Sequence, residues 1–128
     1  EDLDRWVKAG LMVRETIEAG SRHAFAIATP RGERGLAFQR RPETDGTSLH
    51  TFGPAWTPPS WLRLSRRCDT ITASYRRTMT DSWVPIATQT YTSLPARLLA
   101  GLAVSSHVDG VTASAAFEHV IVDPAISE

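Results

Sequence analysis

Trp61-Leu62-Arg63-Leu64-Ser65-Arg66-Arg67-Cys68-Asp69-Thr70-Ile71-Thr72-Ala73-Ser74-Tyr75-Arg76 is the stretch that decides the fold class. Its apolar residues recur with period two, the period of a half-buried strand and not of a helix. Leu62 and Leu64 therefore take one face, and Trp61, Arg63 and Ser65 the other. Cys68-Asp69 marks a turn, after which a second run extends over Thr70 to Arg76.

The same signal continues on both sides. Upstream, Ala9 to Arg14 alternates, with Leu11 and Val13 on one face and Gly10, Met12 and Arg14 on the other. His23 to Thr29 and Gly35 to Arg41 flank Pro30-Arg31-Gly32-Glu33-Arg34, a turn of hairpin length. A breaker-rich loop, Pro42 to Gly46, leads to a short run around Ser48 to Phe52. The prolines of Gly53 to Ser60 lack the N–H that a ladder requires, so that segment reads as a surface crossover. Downstream, Trp83 to Tyr91, Leu98 to His107 and Ala113 to Val122 are the remaining runs, with Val108-Asp109-Gly110 as the last turn. Alternation in the Leu98 run sends Leu102 and Val104 inward and Gly101, Ala103, Ser105 and His107 outward. Only Glu15 to Ala19 could hold a helical turn, ended by Gly20. Many short alternating runs between turn residues predict an all-β antiparallel sandwich, two sheets packed face to face.

Composition bounds the rest. With 128 residues the chain has room for one domain and one core. Fourteen basic residues against fourteen acidic ones leave no net charge, hence no field to gather nucleic acid or an acidic membrane surface. The longest apolar run, Leu98 to Val104, is far short of the roughly 20 residues of a membrane span. Cys68 is the only cysteine and makes no internal disulfide. No basic and apolar leader opens the sequence, so an export signal is either lacking or removed.

No arrangement for catalysis stands out. His23, His50, His107 and His119 have no pair at i, i+2 or i, i+4, which argues against a zinc set. Gly20-Ser21-Arg22-His23 brings a serine near a histidine, but the simpler reading is a turn entering a strand. Asp45, Asp69, Asp81, Asp109 and Asp123 lie in turns, where aspartate caps backbone N–H groups. No cofactor is called for; calcium is the one ion such turns could take, though nothing approaches the ligand density of an EF-hand loop.

The arginines carry more information. Lys8 is the only lysine, so 13 of 14 basic residues are arginine, and several fall on strands. Compositional bias could produce this too. Alternation nevertheless gathers Arg14, Gln39, Arg41, Trp61, Arg63 and His107 as an outward-facing set, with Trp56 as a loop aromatic at its rim. Aromatic rings stack on the C–H face of a sugar, and Arg or Gln donate to its hydroxyls.

Lys8-Ala9-Gly10-Leu11-Met12-Val13-Arg14-Glu15 resembles the KAG-[LV]-M-[IV]-R-[ED] segment of bacterial concanavalin A-like domains related to the DUF1349 group. The likeness continues through Gly20 to Ala24, Ala37 to Arg41, Trp61 to Arg66, Gly101 to His107 and Ala116 to Val120. The resemblance implies a jelly-roll sandwich appended to secreted bacterial proteins, binding carbohydrate or a protein partner on its concave sheet, with no catalytic residues to carry over. Two turns depart from the family pattern. Arg77 to Trp83 lacks the Asp and Gly of S-x-D-G-x-x-W, and Cys68-Asp69 stands where relatives have Gly-Asn, putting a non-glycine where positive φ is wanted. Such domains also carry strands before the KAG segment. The resemblance thus implies that residues 1–128 are one sandwich domain, the C-terminal portion of a larger protein, whose first strands lie upstream or in another chain.

The expectation is a non-catalytic, extracellular carbohydrate-binding module using the seven residues named. The alternative is a structural or interaction domain whose exposed face and unpaired edges dock on a partner chain or enzyme domain. A polysaccharide hydrolase or lyase is the third reading. It needs two carboxyl groups roughly 5 to 10 Å apart, and the outward face offers arginines and a histidine in place of acids.

Overall fold

The computed structural model of the chain describes residues 8–29, 35–54, 61–105 and 120–122. The described residues form eight strands and no helix: β1 (Lys8–Arg14), β2 (His23–Ala28), β3 (Leu36–Arg41), β4 (Leu49–Phe52), β5 (Trp61–Arg67), β6 (Thr70–Arg76), β7 (Val84–Thr90) and β8 (Leu99–Ser105). They build a five-stranded sheet in the order β4-β3-β2-β1-β8 and a three-stranded sheet in the order β5-β6-β7. Every pairing is antiparallel. The predicted all-β sandwich is the architecture observed.

The two faces of β2 explain how the sheets stack. Ala24 and Ala26 point toward the smaller sheet and join Phe38, Ile71, Ala73, Tyr91 and Leu94 in the inter-sheet core, which Leu62, Leu64, Ile86 and Ala87 complete. Alanines on β2 and at Ala73 let the sheets close around the larger Phe38 and Ile71, as a densely packed interior requires. Phe25 and Ile27 point the other way and form a second buried cluster with Ala37, against Met12 and Ala103. At Gly10 an added Cβ would sit 1.8 Å from the Ala26 carbonyl oxygen, so β1 lies against β2 only because this residue has no side chain.

The hairpin β5–β6 is closed by Cys68-Asp69, and Cys68 has φ 53°, the left-handed region that glycine adopts freely. Asp69 then anchors the next crossing. Its carbonyl accepts from Tyr91 N at 2.8 Å and its carboxylate from Leu94 N at 3.0 Å. The Tyr91 hydroxyl donates to the His23 carbonyl at 2.8 Å, tying the two sheets together, and burial pushes its phenol up to about 12. Arg66 donates to the carbonyls of Leu94, Pro95 and Cys68. The 91–97 segment is thereby pinned as it carries the chain back to β8, beside β1.

Four expectations are refined. Glu15 to Ala19 forms bends and the start of a turn without a helix, because Arg14 and Arg41 hold its carbonyls from the sheet. The Arg77 to Trp83 connection does join a hairpin, closed by the Thr78 N–H donating to the Asp81 carboxylate at 3.1 Å. Leu102 and Val104 keep the inward orientation of their strand yet are 45% and 42% exposed, since β5, β6 and β7 pack chiefly against β1 to β4. Of the Ala113 to Val122 run, Val120, Ile121 and Val122 are exposed and outside any strand; the rest, with the turns at Pro30 and Val108, lies outside the described residues.

Candidate functional site

Of the six residues expected on one outward face, with Trp56 at its rim, the five that are described divide between the two sheets. Arg14, Gln39 and Arg41 share the outer face of the five-stranded sheet, as the pairings Arg14↔His23↔Arg41 and Met12↔Phe25↔Gln39 require. Trp61 and Arg63 lie on the outer face of the three-stranded sheet, on the opposite side of the sandwich, because Leu62 and Leu64 face the core between the sheets. Trp56 and His107 lie outside the described residues.

On the larger sheet the polar groups are occupied with one another. Arg14 donates through Nε to the Thr16 carbonyl at 3.1 Å and through Nη2 to that of Glu18. Arg41 donates to the carbonyls of Gly46 at 3.0 Å and Ala19 at 2.9 Å. Both guanidiniums thus clamp loops at the end of the sheet. Gln39 is a hub: its Oε1 accepts from Lys8 Nζ at 3.0 Å and lies 3.1 Å from His50 Nε2. Lys8 on β1 and Gln39 on β3 flank β2, so the lysine stem runs obliquely across the outer face of β2. That burial lowers the Lys8 ammonium pKa.

His23 sits between the two arginines on its rung, buried, with Nδ1 lacking any hydrogen-bond partner. Burial brings its pKa down to about 4; the charges of Arg41, Arg14 and His50 add to this, and the Ser21 backbone opposes it without offsetting it. Ser21 offers no nucleophile to it, since its hydroxyl donates to the Arg22 carbonyl at 2.8 Å and accepts from Thr16 N at 2.9 Å. The imidazole is neutral near pH 7 and hemmed in by cations, which fits a structural element.

The smaller sheet is different. The pairing Trp61↔Arg76 and the register Tyr75↔Val84 set Trp61, Arg76 and Trp83 side by side on one rung. The Arg76 guanidinium lies 5.0 Å from the Trp61 ring centre and 4.3 Å from that of Trp83. Arg63, two rungs away opposite Ser74, reaches across β6 to lie 4.6 Å from the Trp83 ring centre. The reach accounts for Ser74, only 3% exposed although it faces outward. Beyond the stack, Thr72 and Thr88 pair through their hydroxyls at 3.0 Å, as do Thr70 and Thr90, continuing the face as a flat hydroxyl surface.

A bulge makes this stack possible. The β6–β7 register shifts between Ala73 and Ser74, so Ile86 and Ala87 both turn into the core. An unbroken ladder would point Trp83 inward; the extra residue turns it outward beside Trp61. Arg76 and Trp83 are the site residues that alternation alone did not gather. The two-residue turn at Cys68-Asp69 was the available signal for Arg76, since counting back from it puts Trp61 opposite Arg76.

Other chemistry is sparse. A recess lined by Val13, His23, Ile71, Tyr91, Leu94 and Leu98 measures about 10 Å³, room for one water molecule. Glu15 forms an ion pair with Arg22. Among the described residues no three His, Cys, Asp or Glu side chains cluster to hold a metal ion, and no helix is long and apolar enough to cross a membrane. No protein-family model, curated protein or solved structure matches this chain. The class its own residues define is an antiparallel β-sandwich carrying a stacked arginine–tryptophan face.

Proposed function

We propose that the chain is a non-catalytic carbohydrate-binding module of the concanavalin A-like, DUF1349-related kind, with a jelly-roll arrangement, working outside the cell as an accessory to a secreted bacterial protein. The observation that carries the reading is the stack of Trp61, Arg76, Trp83 and Arg63 on an outward sheet face, continued by threonine hydroxyls. Indole surface suits the C–H face of a pyranose, and guanidinium and hydroxyl groups suit its oxygens. Of the residues first gathered, Trp61 and Arg63 belong to this face. Arg14, Gln39 and Arg41 support the opposite one, where their hydrogen bonds are already made.

Affinity electrophoresis through gels containing plant and bacterial polysaccharides tests the reading. Retardation by at least one polysaccharide is expected, and its loss in Trp83→Ala and Trp61→Ala variants that keep the wild-type circular dichroism. Free migration through every gel would overturn it.

A second reading, an interaction domain docking on a partner chain, is favoured by β8, where Leu99, Leu102 and Val104 are 49%, 45% and 42% exposed. Light scattering discriminates: a strict monomer at micromolar concentration with no co-purifying chain counts against it.

A further inference from the structure

We infer that the glycan taken by the three-stranded face is anionic, a polysaccharide bearing carboxylate or sulfate groups; this rests on the carbohydrate-binding reading and specifies its ligand. Arg63, Arg67 and Arg76 have the outward orientation on this face, through the pairings Trp61↔Arg76, Arg63↔Ser74 and Arg67↔Thr70. The described residues facing them there are Trp61, Trp83, Ser65, Ser74, Pro85 and the four paired threonines, none of them acidic. The nearest acids in sequence are engaged in turns, Asp69 by Leu94 N and Asp81 by Thr78 N. In a chain of zero net charge, the described residues thus give this surface three arginines and no acid.

The stacking geometry prepares those charges for an anion. A guanidinium lying over a ring keeps its five N–H donors in its own plane, directed away from the ring contact. Held by Trp61 and Trp83, Arg76 loses less rotamer freedom on binding than a solvated arginine would. Its Nε is buried without a hydrogen-bond acceptor, and among the described residues no carboxylate forms an ion pair with it. Charge-assisted bonds from arginine to carboxylate or sulfate are about twice as strong as neutral ones, so an acidic sugar gains more here than a neutral one. Single-stranded nucleic acid, the other polyanion that seeks aromatic residues, stacks successive bases on successive rings. Beyond Trp61 and Trp83 this face continues as paired threonine hydroxyls, which suit sugar oxygens and give further bases no ring.

Titration calorimetry with the whole chain provides the test, using polygalacturonate for carboxylate, chondroitin sulfate for sulfate, neutral galactan and dextran, and an oligothymidylate. Binding to at least one acidic glycan is expected, weakening as salt rises from 50 to 500 mM, with about tenfold loss or more in Arg63→Gln. Arg67→Gln should weaken it further, whereas Lys8→Gln on the other sheet leaves it unchanged. Neither arginine variant touches the core, so both should fold. Equal affinity for neutral and acidic glycans would overturn the anionic preference while keeping the carbohydrate reading. Oligothymidylate bound as tightly as the acidic glycans would overturn the glycan, and no binding to any of the five would overturn both.

Discussion

At the scale of single residues, His23 sets the pH response of the fold. The imidazole is 5% exposed, lies between Arg14 and Arg41, and has an unpartnered Nδ1, so the folded protein resists protonating it until about pH 4. In the unfolded chain an ordinary histidine takes its proton near 6.5. Between those values the unfolded state binds more protons, so stability falls as the solution is acidified from about pH 6.5 toward pH 4. The full effect is on the order of 3 kcal/mol. His50 has its pKa lowered in the same direction, first by burial and then by Lys8 and Arg40. Thermal unfolding should therefore show a midpoint lower at pH 4.5 than at pH 7, and His23→Leu should remove most of that difference. An undiminished acid destabilisation in the variant would assign the effect to other groups.

Among the elements, the hairpin β5–β6 holds the clearest stored cost. Cys68 has φ 53° at the first of two turn positions, where glycine is at ease and a side chain is strained. Cys68→Gly should raise the stability by on the order of 1 kcal/mol, the relief of strain exceeding the entropy that glycine adds to the unfolded chain. Urea unfolding would show this as a higher midpoint at unchanged slope, whereas a lower midpoint would mean the exposed cysteine makes a contact worth more than the strain. This turn also marks how far the sequence could be read. Alternation located β5 and β6 and both faces of β5, because one face meets the core and the other meets water. Alternation also set Arg14, Gln39 and Arg41 on one face, which the register bears out. It could not divide that set from Trp61 and Arg63, because period two distinguishes the faces of a strand and says nothing of which sheet the strand joins. Nor could it place Trp83, whose direction depends on one extra residue at a bulge that no local pattern around Pro85 and Ile86 announces.

Across the whole molecule the two sheets are unequal, and this asymmetry distributes stability and exposure. Five strands face three, so the inter-sheet core is dense at β2 and β3 and thins toward β8. Phe38 is fully buried between the sheets, whereas Leu102, whose strand alternation equally predicted as inward, lies on the edge strand beside β1 and remains 45% exposed. β8 is held chiefly by its ladder to β1, running from Lys8↔Ser105 to Arg14↔Leu99. Truncations should report this gradient. Phe38→Ala removes a ring from a closed core and should cost about 3–5 kcal/mol. Leu102→Ala removes a side chain that has left water only in part and should cost on the order of 1 kcal/mol. Urea denaturation of the isolated chain at two concentrations tenfold apart measures both. A cost for Leu102→Ala that approaches that of Phe38→Ala and grows with protein concentration would show that β8 is covered in solution by another copy. The same small cost at both concentrations would show that the half-open side of the sandwich is stable as a monomer, supported by backbone pairing and the core beneath β1.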